Sequence, residues 1–168
     1  MADSETGPPL LVCHLQHDVL YSVAHMSSRN DSEPLRQMLD REIIGFLTAV
    51  NAEGQPQTSP VWFLRDGDDL IVYNKAATPR LASVAANPKV SFNLRGDLRA
   101  SGAVLMDGEA RVEPALPPAK DLPGYVEKYG GEIERLGWTP ESFSDDYNVG
   151  MRIVITRDRS WGLGKLTS

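Results

Sequence analysis

The chain of 168 residues is 41% hydrophobic and 24% charged, ordinary usage for a globular protein, and its length suits one domain with one core. Its formal charge of −6 argues against a general polyanion binder, because nucleic-acid affinity rests on a surplus of Lys and Arg. No apolar run approaches the roughly 20 residues that span a bilayer, Asp3 and Glu5 stand where a secretory signal would be basic, and the lone Cys13 has no intrachain partner. A soluble cytoplasmic protein with no nucleic-acid or membrane partner is expected.

Residues 1–30 read as a peripheral extension: a polar start, irregular apolar spacing over 10–23, then Ser27, Ser28 and Asn30, with Met26 as an alternative start. The folded domain is expected over 31–168. Leu35, Met38 and Leu39 fall at helical spacing behind Pro34, which predicts a short helix over 33–41. Residues 43–50 (IIGFLTAV) and 57–64 (QTSPVWFL) are β-rich and flank a turn at 51–54, so they form a hairpin; a third strand follows over 70–74 (LIVYN).

Thr78 and Pro79 open a helix whose apolar face carries Leu81, Val84 and Ala85, and Asn87 and Pro88 stop it. Residues 89–94 (KVSFNL) alternate as a fourth strand, and 100–112 form a fifth, bent at Gly108. Tyr125, Val126 and Tyr129 share a helical face that ends at Gly130 and Gly131, with shorter helical pieces at 133–136 and 140–143. Residues 150–156 (GMRIVIT) make a sixth strand. Strands pairing in sequence order, with one short helix inserted, point to an antiparallel barrel rather than βαβ units.

The sequence has no GxGxxG, P-loop, GxSxG, HExxH or paired CxxC motif, which argues against Rossmann nicotinamide binding, nucleotide hydrolysis and the commoner hydrolases. All three histidines, His14, His17 and His25, lie in the extension, so the folded part has no histidine base; His14 and His17, three apart, could ligate a metal if helical, but a dispensable polar segment is the expected reading and no metal site is expected.

Residues 75–80 (KAATPR) join the third strand to a helix N-terminus, where free N–H groups and the positive dipole end favour an anion. Lys75 adds a point charge, Arg80 a forked donor and Thr78 a hydroxyl, the ingredients of a phosphate site. The same spacing equally describes an ordinary capped helix with two solvated cations.

In the second strand, Thr58, Ser59, Pro60, Val61 and Trp62 combine small and hydroxyl side chains with a proline that cannot donate to a ladder. That combination suits an edge against which a planar ring could lie. Core packing is the alternative for Val61 and Trp62. Trp161, beyond the last strand, docks on its own barrel or across a dimer interface.

The order Gly54, Gln55, Pro56, Gln57 into Ser59 to Phe63, then 70–75, then Thr78, Pro79 and Arg80, then Asn87 to Val90, resembles the pyridoxamine 5′-phosphate oxidase-like split β-barrel proteins. Within them it is most similar to the actinobacterial group that uses the deazaflavin coenzyme F420, a match strengthened by 125–129 (YVEKY), 138–141 (WTPE) and Arg152 to Trp161. The resemblance spans about 33–163. It implies an α+β fold, a six-stranded antiparallel split barrel with short flanking helices, in a homodimer holding its cofactors at the subunit interface. Thr58, Ser59, Pro60, Val61 and Trp62 would line the cofactor ring, and Asn74, Lys75, Thr78 and Arg80 would hold its phosphate.

The activity implied is an oxidoreductase passing a hydride between F420 and a small conjugated substrate. The alternatives are an FMN-dependent enzyme or a non-catalytic flavin, F420 or haem carrier. Pro79 occupies a position that is basic in the FMN-using oxidases, and their C-terminal histidine is missing, which argues against vitamin B6 oxidation. No residue is singled out as catalytic, since hydride chemistry resides in the cofactor.

Overall fold

The computed structural model describes residues 32–96 and 102–161. The expectations for the 1–30 extension, Cys13, Met26 and the histidines fall outside the described residues.

Helix α1 (Glu33–Arg41) forms where expected, with Pro34 in its first turn and Leu35, Met38 and Leu39 buried on one face. Strands β1 (Gly45–Val50) and β2 (Pro56–Val61) make the expected hairpin, in register from Gly45 opposite Val61 to Val50 opposite Pro56. The run over 57–64 does not stay one strand. It breaks at Trp62 and Phe63 and resumes as β3 (Leu64–Asp66), which turns back into β4 (Asp69–Asn74).

The remaining elements are α2 (Pro79–Ala86), β5 (Lys89–Leu94), β6 (Ala103–Val112), α3 (Pro123–Arg135), α4 (Pro140–Asp146) and β7 (Val149–Trp161). A 3₁₀ turn at Ala119–Asp121 precedes α3. The strands form one antiparallel sheet of seven, not six, in the order β2-β1-β5-β6-β7-β4-β3. Its two edge strands, β2 and β3, are consecutive in the chain and joined by only two residues. The sheet therefore has to curl until its edges meet at that step, which is how an antiparallel sheet becomes a split barrel in an α+β fold.

The step has an identifiable cause. Phe63 N–H donates to the Tyr129 hydroxyl (2.8 Å), whose oxygen lies 2.7 Å from Phe63 O and 3.0 Å from Ile43 O, so a side chain replaces a ladder neighbour there. Phe63, fully buried, enters the barrel interior and meets Phe92 edge-on at 4.9 Å. Trp62 turns outward and stacks on Tyr129 at 4.7 Å and 8°.

Two apolar clusters result. One fills the barrel, with Leu47, Leu70, Val72, Phe92, Val104, Met106, Met151 and Ile153, and is closed by the buried face of α1. The other lies outside the barrel, where Ile71 and Tyr73 of β4 pack against Tyr125, Tyr129 and Ile133 of α3 and Phe143 of α4. Successive β4 residues thus serve different cores, which explains why the strand is buried on both faces.

Helix α3 runs through Gly130 and Gly131 instead of ending there, because Tyr125, Tyr129 and Ile133 are buried at intervals of four and that packing outweighs the helix-weakening effect of two glycines. The turn that ends it is Gly137, at φ +84°. Helix α4 extends to Asp146 behind a capping box in which Ser142 N–H donates to Thr139 Oγ1 (3.2 Å) and Thr139 N–H to Ser142 Oγ (2.9 Å). Ala85, expected on the buried face of α2, is exposed, and Ser83 is buried beside Val84.

The expected bend at Gly108 is a register shift between β6 and β7, where a Cβ on Gly108 would lie 2.7 Å from Val154 O. Strand β7 continues well beyond residue 156, so Trp161 belongs to the strand, opposite Ala103. The docking of its side chain lies outside the described atoms. Among the described residues no helix is long and apolar enough to cross a membrane.

Candidate functional site

Strand β2 is a sheet edge, paired on one side only, to β1. Helix α2 packs against β1 beside it, and its second residue, Arg80, reaches across: Nη1 donates to Ser59 Oγ at 2.7 Å. That single bond joins the two segments that sequence reasoning treated separately.

Arg80 is half-buried, and its Nε has no hydrogen-bond partner. No carboxylate among the described residues pairs with it. Burial pulls the guanidinium below its ordinary pKa, with Tyr147 opposing, yet an arginine remains charged at any working pH. A desolvated cation with a spare donor and no counter-ion is costly for the fold alone and suited to an anion.

Arg80 lines two cavities. The polar one, about 500 Å³, is bordered by Gln57, Thr58 and Ser59 of β2 and by Thr78, Pro79 and Ser83 around the start of α2. Thr58 Oγ1 shares a hydrogen bond with Thr48 Oγ1 across the hairpin (2.8 Å). Thr78 is the N-cap residue of α2, but its hydroxyl makes no capping bond and so remains available. The helix end itself has little to give. Pro79 lacks an N–H, and Leu81 N–H already bonds Thr78 O (3.0 Å), so side chains carry most of the anion-binding capacity.

The second cavity, about 330 Å³, is bordered by Pro60, Val61 and Trp62 and is otherwise largely aromatic: Tyr73, Tyr125, Trp138, Phe143 and Tyr147, with Ile44 and Leu136. Trp62 stacks on Phe143 (5.5 Å, 22°) and Phe143 on Tyr147 (4.7 Å, 13°), while Trp138 stands edge-on to both Phe143 and Tyr147. Burial pushes the Tyr73 phenol up to about 12, with Asp121 adding to the rise, and burial also holds the Tyr125 phenol well above its ordinary range.

Seven of the nine expected site residues therefore border one or other cavity, and Arg80 borders both. Asn74 and Lys75 border neither. Asn74 is almost fully buried, its Nδ2 donating to Val72 O (3.2 Å) and Val149 O (3.4 Å) while its Oδ1 has no partner. Lys75 pairs with Asp146 at 3.1 Å and sits 5.0 Å from the Tyr147 ring centroid. Both members of that pair are about half exposed, so it adds little stability.

Sequence reasoning missed the aromatic wall. The signal was compositional: Tyr125, Tyr129, Trp138, Phe143 and Tyr147 are five of the chain's twelve aromatic side chains, concentrated between residues 125 and 147. Among the described residues no group of His, Cys, Asp and Glu side chains could hold a metal ion.

Comparison with solved structures places this arrangement in a populated fold, shared with 113 matching chains. The conserved hypothetical protein Rv2991 from Mycobacterium tuberculosis is 25% identical, with a TM-score of 0.65 over 84% of this chain and 93% of that one. An FAD-binding protein from Mesorhizobium loti is 20% identical (TM-score 0.54, 80% and 96% covered). An F420 reductase is 22% identical (TM-score 0.51, 73% and 91% covered). At those identities the last two establish the fold alone. No curated protein matches the sequence. The family model for pyridoxamine 5′-phosphate oxidase matches residues 32–161, from the start of α1 to the end of β7, so both cavities lie within it and the chain belongs to that family.

Proposed function

We propose that the protein is an F420-dependent oxidoreductase that works as a homodimer, with the cofactor phosphate held at Arg80. The observation that carries the reading is Arg80 itself: half-buried, without a carboxylate partner among the described residues, bonded to Ser59, and shared by a polar and an aromatic cavity. The donors fit a molecule with a phosphate at one end and a flat ring at the other. When bound, F420 supplies a carbon that gives or takes a hydride.

The chain supplies position and a dry surface. Arg80 and the uncapped Thr78 hydroxyl hold a phosphate, and Ser59 fixes the guanidinium that does so. Pro60, Val61 and Trp62 border the ring, and the aromatic side chains beyond them exclude water. Lys75, tied to Asp146, contributes long-range attraction rather than a direct bond.

An FMN-dependent enzyme is the second reading, favoured by the FAD-binding relative and by the same ring-and-phosphate requirement. A haem carrier is less well supported, since none of the three histidines falls within the family-matched residues 32–161.

Titration of the purified protein with F420 and with FMN tests the reading. F420 is expected to bind more tightly than FMN. Arg80→Ala is expected to weaken it roughly tenfold or more, the loss of about 1.5–3 kcal/mol for a charged hydrogen bond, and Lys75→Ala to weaken it less. Equal F420 affinity in wild type and Arg80→Ala would contradict the assignment.

A further inference from the structure

We propose that Asp146 sets the charge that the anion site accepts: by pairing with Lys75 it leaves Arg80 as the one uncompensated cation there, so a phosphodiester with a single negative charge is taken in preference to a doubly charged phosphomonoester. The proposal deepens the functional reading above and rests on it only in placing the phosphate at Arg80.

Among the described residues, Arg80 is the only charged side chain that borders either the polar or the aromatic cavity. Its guanidinium balances one negative charge. The other cation of the 75–80 run is close by. Thr78 N–H donates to Lys75 O (3.0 Å), closing a turn between Lys75 and the start of α2. Lys75 Nζ lies 5.0 Å from the ring centroid of Tyr147, and Tyr147 borders the aromatic cavity together with Arg80. A phosphate at Arg80 therefore feels Lys75 through space.

Asp146, the last residue of α4, stands 3.1 Å from Lys75 Nζ and limits that attraction. Both side chains are about half exposed, so the bond between them is weak and can open. Opening does not change the local sum of charge, because the carboxylate stays beside the site whether or not it touches Lys75. A monoanion on Arg80 is balanced. A dianion brings a second charge that a half-buried site leaves without a partner, which is costly.

The available room agrees with the charge. The polar cavity, about 500 Å³, has the size of a small-molecule pocket rather than of a single phosphate, and Gln57, Thr58 and Ser83 border it without adding charge. A phosphate with a second ester substituent continues along that surface. A terminal phosphate gains nothing from it.

The test compares three ligands with one ring and different charge: riboflavin, riboflavin 5′-methyl phosphate and FMN, which at pH 8 carry none, one and about two negative charges. Each is titrated by flavin fluorescence at low salt against wild type, Asp146→Asn, Lys75→Ala and Arg80→Ala. Wild type is expected to bind the methyl ester about threefold or more tighter than FMN. The energy of a fixed charge scales with the charge of the ligand, so Asp146→Asn should leave riboflavin unchanged, tighten the methyl ester about threefold and tighten FMN about tenfold, the square of the first gain. Lys75→Ala should weaken the same ligands in the same order.

A wild-type preference for FMN, equal gains for the two phosphates in Asp146→Asn, a shift of riboflavin as large as that of FMN, or no binding of either phosphate would overturn the proposal. Arg80→Ala separates it from the functional reading. If that variant weakens both phosphates while Asp146→Asn leaves their ratio untouched, the phosphate at Arg80 stands and Asp146 has no part in selecting it. If Arg80→Ala changes nothing while the graded response to Asp146→Asn persists, the assignment of the phosphate to Arg80 fails and the control by Asp146 stands.

Discussion

Lys128 shows how one side chain can be both a staple and a titratable weakness. From α3 its ammonium donates to Leu39 O, in the last turn of α1 (2.8 Å), and to Phe63 O at the step between β2 and β3 (3.1 Å), lying 4.0 Å from the Phe63 ring centroid. It thereby satisfies a carbonyl at a helix end that has no intrahelical partner. Burial lowers its pKa from 10.5 to about 8, with Asp40 and Glu42 opposing and Arg65 adding to the fall. Between those two values the unfolded chain binds more protons than the folded one, so Lys128 makes stability rise with pH from about 8 towards 10. Beyond about 10 the buried tyrosines reverse the trend. Tyr73, Tyr125 and Tyr129 keep their protons in the fold after the unfolded chain has lost them. Urea midpoints measured from pH 7 to 10 should climb in wild type and run flatter in Lys128→Met; parallel curves would remove Lys128 as the cause.

Among the elements, the junction of β2 and β3 depends on α3. Tyr129→Phe keeps the ring that stacks on Trp62 but leaves the buried Phe63 N–H without its acceptor, while Phe63 O keeps the Lys128 ammonium. A loss of about 1–3 kcal/mol is expected from stranding that N–H, read as a lower denaturant midpoint with unchanged slope; a variant as stable as wild type would show that water replaces the hydroxyl. This junction also marks what the sequence could not tell. Residues 57–64 keep one β-rich pattern throughout, and nothing local says that Phe63 will bond to a tyrosine 66 residues away rather than to a strand. Likewise Gly130 and Gly131 read as a helix end, because propensity is local and the burial of Tyr129 and Ile133 that overrides it is not. Elements whose signals are local, α1 with its spaced Leu35, Met38 and Leu39 and the hairpin of β1 and β2, were legible from the residues alone.

For the whole molecule, the closing of the sheet brings the two cavities together. With β2 and β3 at opposite ends of the strand order yet adjacent in the chain, the barrel closes beside β2, and α2 lays Arg80 across that edge. The sequence suggested a ring-facing strand and an anion-binding turn, and the fold links them through the bond from Arg80 to Ser59. It redistributes the roles, however: Thr78 and Arg80 face the polar cavity, Lys75 is engaged by Asp146, and an unanticipated aromatic wall lies on the far side of Arg80. The guanidinium is half-buried with no counter-ion among the described residues, a cost to stability of the kind often kept where binding requires it. The most direct test is a crystal structure of the protein with F420 bound. The account predicts the cofactor phosphate within hydrogen-bonding distance of the Arg80 guanidinium and the Thr78 hydroxyl, and a phosphate bound elsewhere, with Arg80 still bonded only to Ser59, would contradict it.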